Sequence, residues 1–314
     1  MAVCSTLEVA PLDPALAGLL AQMAAQGNPP LEALPPAVGR RIYRDMDAAL
    51  GLPAPVVGKV EDLVIEGPGG PLALRAYAPA TPGPWPVLMF LHGGGFVIGD
   101  LDTHDKVCRT LCHHAHMLVV AVDYRLAPEH PFPAAPDDAE AALRWLCAHA
   151  ATLGGDASRM AVAGDSAGAQ LALVAVRRVG GIQALGMIYP AAQHPDTPSP
   201  SYAENGEGKF LTYSAMRWFM ATYLGGQAAA AQHPDFDLLH SDMAALPPTW
   251  VATMGHDPLR DEGHALALRI EHAGVAVAHA HYPGAIHACI HFSGVSTVGA
   301  QVVVDLAAWL RLQI

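Results

Sequence analysis

Basic residues are scarce in this chain. Its 314 residues hold 17 Lys and Arg against 29 Asp and Glu, a net charge of −12, and no run of basic residues interrupts that balance. Such a surface repels phosphate backbones and anionic lipid, so nucleic acid and acidic membranes are excluded as partners. No apolar stretch approaches the length of a membrane span. The start of the chain has no positive segment, and Glu8, Pro11, Asp13 and Pro14 break up any apolar signal core. These absences predict a soluble, cytoplasmic protein. Cysteine is thin as well. Cys4, Cys108, Cys112, Cys147 and Cys289 are odd in number and lack framework spacing, which rules out a disulfide-stapled scaffold. Cys108, Cys112 and His116 fall at i, i+4 and i+8 of a predicted helix, with His113 and His114 beside them. Buried helix-face thiols account for that spacing, and no metal is expected. Internal repeats and low-complexity tracts are missing too.

What is present is apolar material, 52% of the residues, enough for one large core and a lid. Leu12, Leu16, Leu19, Leu20 and Met23 align on one face of a helix predicted over residues 12–27. Val38, Ile42, Met46 and Leu50 align on a second helix, which follows Pro35-Pro36 and stops at Gly51. From residue 56 the pattern changes. Strands are predicted at 56–65, 72–78, 86–91, 117–123, 160–164, 185–189, 249–254 and 275–282. Helices fill most gaps, at 104–116, 136–151, 167–178, 212–224, 261–273 and 296–312. The last of these but one has Asp261 and Glu262 in its first turn and Gly274 as C-cap candidate. Alternation of this kind predicts an α/β fold: a mostly parallel sheet of about eight strands, flanked by helices. Residues 1–55 are expected to form N-terminal cap helices, and 56–314 the main domain. The stretch 191–211, rich in Pro, Ser, Asp and Gly, is expected to be a long connection between a strand end and the next helix, and residues of about 195–225 are expected to add to the cap.

The run Met160–Gly164 breaks into Gly164-Asp165-Ser166-Ala167-Gly168 and continues as an apolar helix. This is the layout of a nucleophile elbow, a sharp strand-to-helix turn that exposes a strained serine. A serine hydroxyl needs a base to take its proton, and the base needs a third group to orient it. In the chain order Ser, acid, His, the acid candidate is Asp257, just past the strand at 249–254. Asp261 and Glu262 compete but read as charges of a helix N-terminus. The base candidate is His287, after the last strand, with His291 as the alternative among 17 histidines. The loop His92-Gly93-Gly94-Gly95-Phe96 follows the strand at 86–91. Its glycines let backbone N–H groups, together with that of Ala167, crowd a carbonyl oxygen that turns negative. The spacing matches no phosphate-binding loop, and His92 is expected to orient the loop rather than to carry protons. Phe96 and, from the cap segment, Phe210, Met216 and Phe219 are candidate substrate contacts. Leu16, Leu19, Met23, Trp218 and Tyr223 also belong to the cap candidates.

Four signatures stand in order: HGGGF at 92–96, YRLAPEHPFPAA at 124–135, GDSAG at 164–168 and DPLRDEG at 257–263. Together they resemble the bacterial hormone-sensitive-lipase-like esterases, family IV of the α/β-hydrolases. The resemblance runs from about residue 56 to the end, and the N-terminal helices resemble that family's cap. It implies a cofactor-free carboxylesterase acting on small ester molecules, with Ser166 as nucleophile, His287 as base and Asp257 as its orienter. An amidase or deacetylase would use the same triad, and a silent binding protein on this fold would lack a working base. The resemblance also implies an oxyanion hole of Gly94, Gly95 and Ala167, with Gly93 shaping the turn, and homodimers paired at the sheet edge. In it the Tyr124–Ala135 segment buttresses the site, so Glu129 and His130 are not catalytic. Two departures from the family pattern are Ala169 and Ala288, each where Gly is frequent.

Overall fold

The structure, a computed structural model, describes residues 7–314. The eight apolar runs form one sheet: β1 (Lys59–Gly67), β2 (Gly70–Ala78), β3 (Trp85–Leu91), β4 (Leu118–Val122), β5 (Gly155–Asp165), β6 (Ala184–Ile188), β7 (Thr249–His256) and β8 (Val277–Ile286). Their spatial order is β1-β2-β4-β3-β5-β6-β7-β8. β1 pairs antiparallel with β2, and β2 antiparallel with β4. Every pair from β4 to β8 is parallel.

The helices are α1 (Pro14–Ala25), α2 (Pro36–Leu50), α3 (Asp105–Ala115), α4 (Ala134–His149), α5 (Ala167–Val179), α6 (Pro200–Asn205), α7 (Tyr213–Leu224), α8 (Arg260–His272) and α9 (Thr297–Gln313). The sheet is buried on both faces, which is why its central strands read as unbroken apolar runs. Val87, Met89 and Leu91 of β3 join Val120 and Val122 of β4 in a core shared with α4, α5 and α8. Leu88, Phe90, Val119 and Ala121 point the other way, into a core shared with α3 and α9. Asp13 caps α1, accepting the Ala15 and Leu16 N–H groups at 2.9 and 3.1 Å. Gly274, at φ 84°, follows α8 as expected.

Four expectations change. The long connection at 191–211 contains a helix, α6. β8 runs on through Tyr282–Ile286, with an irregularity opposite β7, so His287 follows the strand directly. The inward face of α2 is Gly39, Tyr43 and Asp47 rather than the Val38–Ile42–Met46–Leu50 stripe, and Ile42 is 46% exposed. A buried aspartate is invisible to an apolar periodicity, and its partners are given below. His116 ends α3 in a left-handed conformation, so it leaves the helix face that carries Cys108 and Cys112. Those two thiols are free and buried, and Cys112 Sγ donates to the Tyr77 carbonyl. Cys4 lies outside the described residues. Among the described residues no helix is long and apolar enough to cross a membrane.

Candidate active site

Ser166 stands where β5 turns into α5, at φ 54° and ψ −120°. A non-glycine residue there is strained and must be held by its surroundings. The turn is packed too tightly for side chains on either side. A Cβ on Gly164 would strike the Gly168 and Leu91 carbonyls, and one on Gly168 those of Leu91 and His92. The Ser166 N–H is bonded to the Ile188 carbonyl at 2.9 Å, which fixes the elbow to β6.

The structure brings the three sequence candidates together. His287 Nε2 is 3.0 Å from Ser166 Oγ, and His287 Nδ1 is 2.7 Å from Asp257 Oδ2. Asp257 is fully buried, and its Oδ1 accepts the Leu259 N–H at 2.8 Å. A carboxylate is acceptor-only, so it holds the imidazole proton on Nδ1 and turns the Nε2 lone pair toward the hydroxyl. The array can draw the proton from Ser166 while its oxygen attacks an electrophile. His291, the alternative base, is fully buried against Tyr43 and Asp47, and its two ring nitrogens are taken by them.

The glycine loop curls beside the elbow. Gly94 sits at φ 122°, and a Cβ there would meet the Ile98 carbonyl. The Gly93 N–H is committed to Asp165 Oδ1 at 2.8 Å. The N–H groups of Gly94, Gly95 and Ala167 have no acceptor among the described residues. Burial would raise the Asp165 carboxyl, but His104, the field of His291 and the Gly93 N–H hold it down at about 2. His92 stacks on Tyr124 and bonds its own loop through the Gly93 carbonyl at 2.8 Å. Burial, with His104 nearby, lowers it to about 4, which fits an orienting role. Tyr124 in turn donates to the His92 carbonyl at 2.7 Å, and Glu129 pairs with Arg40 of α2.

Over Ser166 lies a cavity of about 290 Å³, at the small end for ligand sites. Its wall includes Met23, Met46, Met216 and Met220, together with Phe210 and Phe219. Phe219 lies on Gly95, leaving no room for a Cβ there. Phe96 is a correction. Its ring is fully buried and stacks on Tyr223 at 3.8 Å, because its φ of 63° turns it into the core. Of the other cap candidates only Met23 reaches the cavity; Leu16, Leu19 and Tyr223 are core. Glu262 stands in the first turn of α8, as the sequence indicates, but it faces inward. It is buried in the cavity wall and accepts the Ala192 N–H at 2.7 Å and the Tyr202 hydroxyl. Its place in the first turn of α8 hid that partnership, since Tyr202 and Ala192 lie 60 and 70 residues earlier. Ala288 adopts φ 61°, the left-handed region that favours glycine.

Among the described residues one group has the donor set for a metal ion: His104, Asp165 and His291, with ligand atoms within 4.8 Å of one another. Those atoms already serve one another and their neighbours. His104 Nε2 is 3.0 Å from Asp165 Oδ1, and His291 Nε2 is 2.8 Å from the Tyr43 hydroxyl.

Residues 88–291 match the family model of the alpha/beta hydrolase fold. Esterase LipI of Mycobacterium tuberculosis is 40% identical over 247 residues, 76% of this chain and 77% of the relative. The ethyl acetate hydrolase of Pseudomonas putida is 36% identical over 82% of this chain and 84% of its own length. The hyperthermophilic esterase of Pyrobaculum calidifontis superposes with a TM-score of 0.91 at 36% identity, covering 96% of this chain and 99% of that one. With its elbow, its glycine loop and this range of relatives, the chain belongs to the α/β-hydrolase family, in the hormone-sensitive-lipase-like branch known as family IV.

Proposed function

We propose that the chain is a serine carboxylesterase for short- to medium-chain acyl or aryl esters, without a cofactor. The observation that carries this reading is the unbroken hydrogen-bonded path Ser166–His287–Asp257 under an apolar cavity. In the first half-reaction His287 Nε2 takes the hydroxyl proton as Ser166 Oγ attacks the ester carbon. The carbonyl oxygen becomes an oxyanion, and the Gly94, Gly95 and Ala167 N–H groups receive it. Collapse expels the alcohol, which leaves with the proton from His287. Water, deprotonated by the same imidazole, then releases the acid and restores Ser166. Each oxyanion donor is worth about 3 kcal/mol of barrier.

Residues 1–55 and about 195–225 act as the cap over the catalytic domain 56–314. Phe210, Met216 and Phe219 form the acyl-binding wall, and the small cavity favours short chains. Free, buried Cys108 and Cys112 support residence in the reducing cytoplasm. The outer position of β8 supports pairing of two copies at that edge.

The test is initial-rate hydrolysis of p-nitrophenyl esters from acetate to palmitate, with Ser166→Ala alongside. A short-chain maximum that disappears in the variant is expected. A maximum beyond about ten carbons would overturn the substrate range. No hydrolysis at any length by folded protein would turn the reading toward amides or toward a binding protein.

A further inference from the structure

Tyr43 and Asp47 lie one turn apart on α2 and both face the imidazole of His291. The Tyr43 hydroxyl is 2.8 Å from Nε2, and Asp47 Oδ1 is 2.9 Å from Nδ1. Asp47 can only accept, so the imidazole proton sits on Nδ1 and Nε2 accepts from the tyrosine O–H. Burial lowers His291, against the pull of Asp47, and so favours the neutral ring. Burial and the fields of Asp165 and Asp47 raise Tyr43 well above its ordinary range, so it stays a donor. The charge of Asp47 is answered by Lys106 of α3, whose Nζ is 3.4 Å from Oδ2. Hydroxyl, imidazole and carboxylate thus repeat the order of Ser166–His287–Asp257 among buried residues.

Its connections define what this second array does. His291 belongs to the turn Cys289–Phe292, four residues beyond His287, and that turn begins at the strained Ala288. Both partners come from a helix more than 240 residues earlier in the chain. The same helix contributes Ile42, Tyr43 and Met46 to the cavity wall. The His291 ring also meets the edge of His104, 4.7 Å between centroids, and His104 leads on to Asp165. One helix therefore touches both the substrate space and the loop that carries the base.

We propose that His291 is a positioning residue: clamped by Tyr43 and Asp47, it holds the 287–292 loop so that His287 Nε2 stays aligned with Ser166 Oγ, and it transmits the seating of α2 to the base. This rests on the role given to His287 above. A polar clamp suits the task better than an apolar contact because its three groups bond in only one arrangement. A buried apolar residue would fill the space in several.

The experiment compares Tyr43→Phe, His291→Leu and His291→Gln with the parent enzyme. The readouts are kcat and KM on p-nitrophenyl butyrate, capture of Ser166 by a p-nitrophenyl phosphonate, and the low-field proton signal of the His287–Asp257 bond. Tyr43→Phe and His291→Leu are expected to lower kcat about tenfold with KM held within about twofold. Phosphonate capture slows by the same factor, and the low-field signal broadens. His291→Gln, whose amide can still donate to Asp47 and accept from Tyr43, recovers most of the loss. Combining Tyr43→Phe with His291→Leu costs no more than the worse single change, because both break one device. Full kcat in folded Tyr43→Phe overturns the clamp, and so does a KM that rises as far as kcat falls. Should His291→Leu not fold, Tyr43→Phe decides alone, since it removes a single oxygen. Hydrolysis that survives Ser166→Ala would overturn the esterase reading instead.

Discussion

The Gly93 N–H donates to Asp165 Oδ1 at 2.8 Å, so the residue before the elbow serine holds the residue before the two free glycine N–H groups. Nucleophile and oxyanion donors are thereby set at one separation by a single side chain. His104 completes the arrangement at 3.0 Å from the same oxygen.

Asp165→Asn therefore tests more than a hydrogen bond. An asparagine oxygen can still accept from Gly93, but it brings no charge to His104. The Asp165 carboxyl is held at about 2, below its ordinary 3.8. A depressed acid stabilises the fold above its unfolded value and loses that contribution as pH falls through the folded one. The parent is expected to keep this stability at neutral pH and lose it between about pH 4 and pH 2. The variant lacks it throughout, so its urea midpoint is lower at pH 7 and converges on the parent's in acid. A fall of about tenfold in kcat should accompany it, as loop and elbow lose register. Urea midpoints that stay parallel down to pH 2 would sink the idea.

Asp257→Asn separates orientation from mere burial. Asparagine fills the same space but can offer its N–H₂ to Nδ1, which favours the tautomer with its proton on Nε2. The lone pair facing Ser166 Oγ at 3.0 Å is then lost. The expected fall in kcat is about four orders of magnitude, with KM little changed. Ser166→Ala and His287→Ala should each fall as far as the pair combined, since the residues act as one unit. Steady-state kinetics on p-nitrophenyl acetate measure both.

Much of this site was legible in the chain because its chemistry sits at predictable places on the fold. Ser166, Asp257 and His287 each follow a strand's carboxyl end, and chain order sorts their roles. The inner strands β3, β4, β6 and β7 were visible because burial on both faces makes them nearly apolar throughout. What escaped were relations across long separations. Asp47 on α2 reads as a surface charge until His291 is placed against it, and Glu262 reads as a helix-start charge until Ala192 and Tyr202 arrive. Phe96 looked like a substrate contact because it adjoins the glycines. Its positive φ sends the ring away from them, and backbone sign is not written in residue type.

Phe96 and Phe219 should therefore differ in what truncation does to chain-length preference. Phe219 walls the cavity against Gly95, so Phe219→Ala enlarges the space over Ser166. The preferred p-nitrophenyl ester is expected to lengthen by about two to four carbons, and because Phe219 is also buried in the core a stability loss of about 3 kcal/mol accompanies the shift. Phe96→Ala removes a fully buried ring stacked on Tyr223 and should cost about 3–5 kcal/mol of folding free energy. Its chain-length preference should stay where it was. Chain-length profiles and thermal denaturation of the two variants give the answer. A shifted profile in Phe96→Ala would return that residue to the pocket.

Glu262 predicts a loss of stability as pH rises from weakly acid to weakly alkaline. Burial pushes its carboxyl up to about 8, against the Tyr202 hydroxyl and the Ala192 N–H, which favour the anion. Nearby Asp257 adds to the rise. The folded value lies above the ordinary 4.5, so the folded state keeps a proton that the unfolded chain has released. The stabilising contribution is complete below the unfolded value and disappears as pH rises through the folded one. The parent's denaturation midpoint should therefore decline between about pH 4.5 and pH 8, from the ordinary value to the folded one. Glu262→Gln, which has the same shape and no proton to lose, should decline less over that range. Denaturant titrations at half-unit steps measure the difference. Parallel curves for the two proteins would mean that the buried carboxyl is already charged at neutral pH, with Tyr202 as its donor.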